Sequence, residues 1–423
     1  MFKNYKNVVA KNYDLILENF FYFILFIVPL LTIINDKQTV IRILSLQIFF
    51  ITMLLFKKNF IKSIIQSIHN NKVTATILTL FIISITISFI LSPAKVEHWG
   101  YRFVRHRYLE LIVYFFFFIS VYHYFKNTNL NFKKYIKTII YSSLFMVSII
   151  YTQGLFKNNT EVYSLLSLYS EIRGPGLILT SFISCFLGFL TLKNENKINY
   201  GNVLILSFLL SLVYFFGGRG NLLSIIIICL ISLIYKKILN ENTKILIQYI
   251  LISFIAAYLF LQLILFVYSI VLDSPPQAQG YKMLRSGSSG RINVWLAAID
   301  QFKNNIFFGQ GPNIFYILQA NNMLRIEGIG NERIIVHPHN FILQFLVEWG
   351  ICGTLLILFL MSKNILIGSL NLLKKQNKYL LIPVFNILGL TAHGITDSTY
   401  IHPVTVTYLL ISNAMIAANV KFK

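Results

Sequence analysis

Apolar runs of bilayer-spanning length recur from one end of this chain to the other. A helix needs about 20 mostly apolar residues to cross the hydrocarbon core, and lipid offers the backbone no other hydrogen-bond partners than its own. On that measure roughly twelve spans are expected, starting near Leu15, Thr39, Val73, Tyr108, Tyr135, Gly174, Tyr200, Gly220, Lys244, Asn340, Lys378 and Pro403. The expected fold is therefore an all-α polytopic integral membrane protein. With 56% hydrophobic and only 12% charged residues in 423, a soluble domain is excluded. The first run already has spanning length and lacks a small-residue cleavage site, so no cleavable signal peptide is expected. Connections are short except for the segment between Asp273 and His339. This divides the chain into nine spans in 1–272, a large loop with amphipathic helices in 273–339, and three spans in 340–423. Residues 340–375 read either as one long helix leaving the membrane or as a span plus a surface helix. No repeat relates the two halves.

The net charge of +22 would point to nucleic acid in a soluble protein. Here it sorts by side. With the N-terminus placed inside, alternate loops carry Lys3, Lys6, Lys11, Lys57, Lys58, Lys126, Lys133, Lys134, Lys193, Lys236, Lys237, Lys374 and Lys421, and no arginine. By the positive-inside rule that face, with both termini, is cytoplasmic. All ten arginines lie on or near the other face: Arg42, Arg102, Arg105, Arg107, Arg173, Arg219, Arg285, Arg291, Arg325 and Arg333. Orientation alone needs only positive charge. Arginine adds a planar, permanently charged fork that grips phosphate or carboxylate at two points. Contacts to lipid headgroups account for some of these residues singly; an outward-facing site for an anionic substrate, a phosphate above all, accounts better for the set.

Four stretches carry the candidate chemistry. "FFGGRGNLLS" sets Arg219 in a glycine-rich turn before a span, where a helix N-terminus favours an anion; a short hairpin with an interfacial arginine is the plain alternative. "RSGSSGRINVWLAAIDQFKNNIFFGQGPN" follows a flexible turn with apolar residues at Ile292, Trp295, Leu296, Ile299, Phe302 and Ile306. That is the spacing of an amphipathic helix lying on the bilayer, with Arg291 in its first turn and "GQGP" breaking it. "VHPHNFILQFLVEWGICG" places His337 and His339 around Pro338, which disfavours helix at His337 and starts the span near His339 or Asn340. Glu348 then lies about 12 Å down that span, a depth at which an ionisable group marks either function or a structural ion pair. "HWGYRFVRHRYLE" supplies Arg102, Arg105 and Arg107 among interfacial aromatics.

Metal ligation is a weaker reading of the histidines. His337, His339, His393, Asp397 and His402 can be drawn together, but their spacing is not that of a metal motif, and no metal or other cofactor is expected. A neutral histidine beside phosphate-binding arginines makes a general base; a hydrogen-bonded interfacial histidine is its rival. Cys185, Cys229 and Cys352 all fall in apolar runs and read as packing residues.

These residues resemble the O-antigen ligase family, whose catalytic region is shared with some O-antigen polymerases. Arg-x3-Leu fits Arg219 to Leu223. His-[Asn/Ser/Gln]-x9-Gly-x2-[Gly/Thr/Tyr] fits His339, Asn340, Gly350 and Gly353, and Gly-Arg-x3-Trp fits Gly290, Arg291 and Trp295. The resemblance implies a twelve-span, metal-independent glycosyltransferase of the bacterial inner membrane. It would take a glycan from undecaprenyl diphosphate on the periplasmic face and join it to a sugar hydroxyl of lipid A core. Carried over, Arg219 and Arg291 bind the diphosphate and His339 serves the acceptor hydroxyl. His337, Asn340, Arg173, Arg102, Arg105 and Glu348 become supporting residues. The nearest rival is an O-antigen polymerase using the same donor, followed by a protein O-oligosaccharyltransferase. The Arg-x10-Gly pattern of some polymerases fits none of the arginines. A polysaccharide transporter would line a path through both leaflets with charge, whereas these candidates crowd one face.

Overall fold

The computed structural model describes residues 2–34, 36–57, 60–70, 72–93, 98–156, 173–194, 196–216, 218–239, 241–271, 291–320, 324, 326, 337–374, 376–397, 399–400 and 402–422. Within them the chain is almost wholly helical. The first half holds α1 (Phe2–Ile34), α2 (Asp36–Leu55), α3 (Phe60–Asn70), α4 (Lys72–Leu91), α5 (His98–Asn127) and α6 (Phe132–Phe156). Then come α7 (Arg173–Leu192), α8 (Tyr200–Phe216), α9 (Arg219–Ile238) and α10 (Thr243–Val271). The large loop contributes α11 (Arg291–Lys303) and α12 (Ile314–Ala320). The chain ends with α13 (Phe341–Leu373), α14 (Leu381–Gly394) and α15 (Pro403–Ala417).

Every one of the twelve expected span starts has a helix at or beside it. By length and composition, seven described helices suffice to cross a membrane, or eight spans if bent α2 and α3 count as one; α7, α8 and α15 are shorter apolar helices. The alternative readings of residues 340–375 resolve into a single 33-residue helix with a break inside it.

Close helix packing sets the core. α7 lies against α14, where a side chain at Gly389 would meet Ser184 Oγ at 2.0 Å and one at Gly188 would meet Phe385 Cβ at 3.2 Å. Small residues let backbones approach where lipid supplies no hydrophobic drive, and interhelical hydrogen bonds supplement the contact. Ser181 donates to Asn386 Oδ1 at 2.6 Å, and Asn386 donates to Ser412 Oγ at 2.8 Å, tying α7, α14 and α15 through one buried amide.

Lysine-bearing turns gather at one end of this bundle. Lys57 pairs with Asp14 at 2.8 Å, Lys134 donates to Asn19 at 2.9 Å, and Lys236 pairs with Glu241. A two-residue parallel ladder joins β1 (Asn129–Leu130) to β2 (Lys421–Phe422). At the other end His339 meets Asp397, and the helix start after Arg219 meets the turn that holds Asp397.

Candidate active site

α13 begins with a strained turn. His339 has φ +53°, in the left-handed region that costs a non-glycine residue about 1–2 kcal/mol. The turn reverses the chain before Asn340, the N-cap, whose Oδ1 accepts from the N–H groups of Ile342 at 3.0 Å and Leu343 at 3.1 Å. Asn340 Nδ2 donates to Ile395 O at 3.1 Å. The helix start and the turn after α14 are thus tied by the residue next to the strained histidine. His339 is 8% exposed, and its Nδ1 lies 3.1 Å from Asp397 Oδ1. A carboxylate only accepts, so Nδ1 carries a proton in this contact, and in the neutral ring Nε2 then keeps its lone pair. The His337 ring stands edge-on to His339 with centroids 4.3 Å apart.

The turn at residues 393–397 is the hub. Asp397 holds His339 and Ile395 O holds Asn340, while a side chain at Gly220 would meet Thr396 Oγ1 at 2.2 Å and His393 Cδ2 at 3.4 Å. Gly220 follows Arg219, the first residue of α9, so this close approach brings Arg219's helix end against the turn. Below it, the Thr180 hydroxyl donates to Asn221 Oδ1 at 2.6 Å and lies 2.8 Å from His393 Nδ1, joining α7, α9 and α14. Arg291, the first residue of α11, lies within electrostatic reach of His393.

Arg173, Arg219 and Arg291 each occupy the first position of a helix whose first turn holds no acidic residue. A helix N-terminus already carries about half a positive charge, so a cation there is unfavourable by itself. An anion bound at such an end meets both the dipole and the guanidinium. Arg219 is exposed and Arg291 half-buried; the Arg173 and Arg102 side chains, with Arg285, Arg325 and Arg333, lie outside the described residues. Arg105 is exposed on α5.

Gly350 explains the motif glycine. Its φ of +64° breaks α13, and a side chain there would meet Phe307 O at 2.3 Å. The segment after α11 closes on the break. Gln310 N–H donates to Val347 O at 2.8 Å and Gly311 N–H to Glu348 O at 3.1 Å. In return Ile351 N–H donates to Ile306 O at 2.8 Å and Cys352 N–H to Phe307 O at 3.1 Å. Ser88 also donates to Glu348 O. Irregular backbone at membrane depth is tolerable only when such groups are satisfied by protein. This clasp fixes α11, and with it Arg291, to the helix that begins just after His339. Gly353, the last motif position, faces Ser84 of α4, whose Oγ would lie 3.2 Å from an added Cβ.

α11 differs in detail from the sequence expectation. It ends at Lys303, so Ile306 lies in the following turn and belongs to the clasp, and "GQGP" enters the α13 break rather than stopping the helix. Val294 and Ala298 face the protein, packed with Val104, Phe315 and Val347; Ile292, Leu296 and Ile299 stay exposed as the bilayer-facing stripe requires.

Glu348 is 2% exposed, accepts from Gln344 Nε2 at 2.9 Å, and has Arg107, the Asn313 N–H and His337 as electrostatic partners. Arg107 is itself buried, pairs with Glu110 and donates to Tyr400 O at 3.2 Å. Of the arginines in "HWGYRFVRHRYLE", it is Arg107 that turns inward. Its signal in the sequence is the Glu110 partner at i+3, on the same helix face. Thr180 and Asn221 also escape the sequence reading, and His393 and Asp397 entered it only as candidate metal ligands.

The arrangement defines a multi-pass membrane protein whose one end brings the helix starts of Arg219 and Arg291 near the turn that carries a buried histidine–aspartate pair. Residues 162–358, just under half of the chain, match the O-antigen ligase family. The matched region contains Arg219, Arg291, His337, His339, Asn340, Glu348, Gly350 and Gly353, and stops before Asp397. No curated protein matches the chain. The family supports an activity of O-antigen ligase or polymerase type, carried out by glycosyltransferase-like enzymes on lipid-linked glycans.

Proposed function

We propose that the protein is a glycosyltransferase that moves O-antigen, or a similar glycan, from undecaprenyl diphosphate to a sugar hydroxyl of lipid A core. The arginine-bearing end is then the periplasmic face of the bacterial inner membrane, and the lysine-bearing end, with both termini, is cytoplasmic. The observation that carries this reading is the 393–397 turn, which brings the helix end of Arg219, the charge of Arg291 and the imidazole of His339 to one place.

In the proposed step the acceptor oxygen attacks the anomeric carbon and forms the new glycosidic bond. The carbon–oxygen bond to the diphosphate breaks, and its electron pair leaves with the polyprenyl diphosphate. The acceptor proton passes to His339 Nε2 while Asp397 holds Nδ1–H and stabilises the imidazolium. Arg219 and Arg291, each at a helix N-terminus, meet the growing charge on the leaving group. Diphosphate is already a good leaving group, so fixed positive charge supplies what the step needs, and activity should persist in a chelator. His337, Asn340, Glu348, Arg102, Arg105 and Arg173 support the site.

An O-antigen polymerase shares the donor and the arginine site but takes a second lipid-linked glycan as acceptor. Lipopolysaccharide from a deletion strain separates the two. Loss of a ligase leaves bare core and lets long lipid-linked polymer accumulate; core bearing a single repeat unit would instead mark a polymerase.

A further inference from the structure

The cluster His337–His339–Asp397 has a second chemistry. We propose that these three side chains form a site for one divalent transition-metal ion of the zinc type, and that its occupancy switches glycan transfer off. Each residue offers one ligand atom, the three atoms lie within 4.8 Å of one another, and all three residues are buried. Zinc bonds of 2.0–2.2 Å in tetrahedral geometry put ligand atoms about 3.4 Å apart. The 3.1 Å between His339 Nδ1 and Asp397 Oδ1 is already close to that. His337, edge-on to His339 and with its ligand atom within 4.8 Å of the others, has at most about 1.4 Å to close by side-chain rotation.

The donor set favours zinc over magnesium or calcium, because two imidazoles and one carboxylate suit a borderline-soft ion and fall short of an all-oxygen cage. Three ligands leave the fourth position open. Three charges face the cluster: Glu348 lies within reach of His337 and can orient its ring, while Arg107 near Glu348 and Arg291 near His393 oppose a cation. His393, on the same turn as Asp397, is engaged with Thr180. Binding shifts the ring proton of His339 from Nδ1 to Nε2, with no net release, so that the Nδ1 lone pair goes to the metal and Nε2 is left protonated beside a fixed positive charge. His339 then no longer takes up the acceptor's proton. The binding half of this inference stands on geometry alone, and the switching half rests on the proposed role of His339.

The test uses the full chain, purified in lipid nanodiscs and stripped with EDTA, titrated with Zn²⁺ against a chromophoric chelator and with Co²⁺ by visible absorption. Wild type should bind one ion per chain with the intense bands of tetrahedral cobalt, and zinc should raise its unfolding temperature. His337→Ala should bind at least tenfold more weakly and lose the thermal shift. His337→Cys, which restores a ligand, should regain both and guards against a folding defect. Zinc should inhibit transfer, with full recovery in EDTA, and the inhibitory concentration should rise at least tenfold in His337→Ala. Equal zinc binding by wild type and His337→Ala, or no stoichiometric binding, overturns the site. Zinc-stimulated transfer overturns the switch. Stoichiometric binding by a protein that transfers from no lipid-linked donor would remove the proposed function and leave the site standing.

Discussion

At the lysine-bearing end, Lys57 meets Asp14, Lys134 meets Glu18 and Lys236 meets Glu241. At the arginine-bearing end, Arg173, Arg219 and Arg291 start helices that have no acidic residue in the first turn, and His339 is held with a positive φ. The first end pairs these three lysines with acids, and its positive-φ residue, Asn419, is of a type that tolerates the left-handed region. The second concentrates positive charge where helix dipoles oppose it and retains a strained residue beside a buried carboxylate. Under the proposed function, the bound anion offsets the greater local cost at the second end.

Substitutions at the two ends should therefore differ sharply. Asp397→Asn should slow transfer about 1,000-fold, about 4 kcal/mol in the barrier, because the amide no longer stabilises the imidazolium. Single-turnover rates on purified protein check this, with donor KM nearly unchanged. Gly350→Ala should destabilise by about 3 kcal/mol, since a methyl group meets Phe307 O and forces a positive φ on alanine. Protease nicking near residues 306–311 under native conditions reads out the opened clasp. Arg219→Lys should lose about 100-fold in kcat/KM despite keeping its charge, because an ammonium lacks the bidentate fork. Lys57→Ala should change stability by about 1 kcal/mol at most and leave transfer untouched, as its pairing with Asp14 is largely exposed. A Lys57 variant as damaging as the Arg219 variant would erase the contrast between the ends.

The sequence shows much of this and misses the part that assembles it. Apolar runs are legible because lipid forces each backbone group into its own helix, and the Lys57/Arg219 division of charge is legible because the two cations differ chemically. Helix α13 is harder, since nothing local to "VEWGICG" states that Gly350 breaks it and receives residues 306–311. The Asp397 contact joins positions 58 apart across two intervening helices, α13 and α14, and Gly220 meets Thr396 across a greater distance in sequence. Arg107 has the same composition around it as Arg105; only the helix face, set by Glu110 and Tyr400, turns it inward. Periodicity reports elements, whereas these pairings depend on how elements pack.

The central claim is that His339 handles the acceptor proton beside arginine-held diphosphate. Purified wild type and His339→Ala, each supplied with a defined polyprenyl diphosphate-linked glycan and lipid A core in EDTA, test it directly. Wild type should yield core-linked glycan and released polyprenyl diphosphate in equal amounts, and the variant should bind donor yet form no product above background. Equal rates from the two proteins would contradict the account.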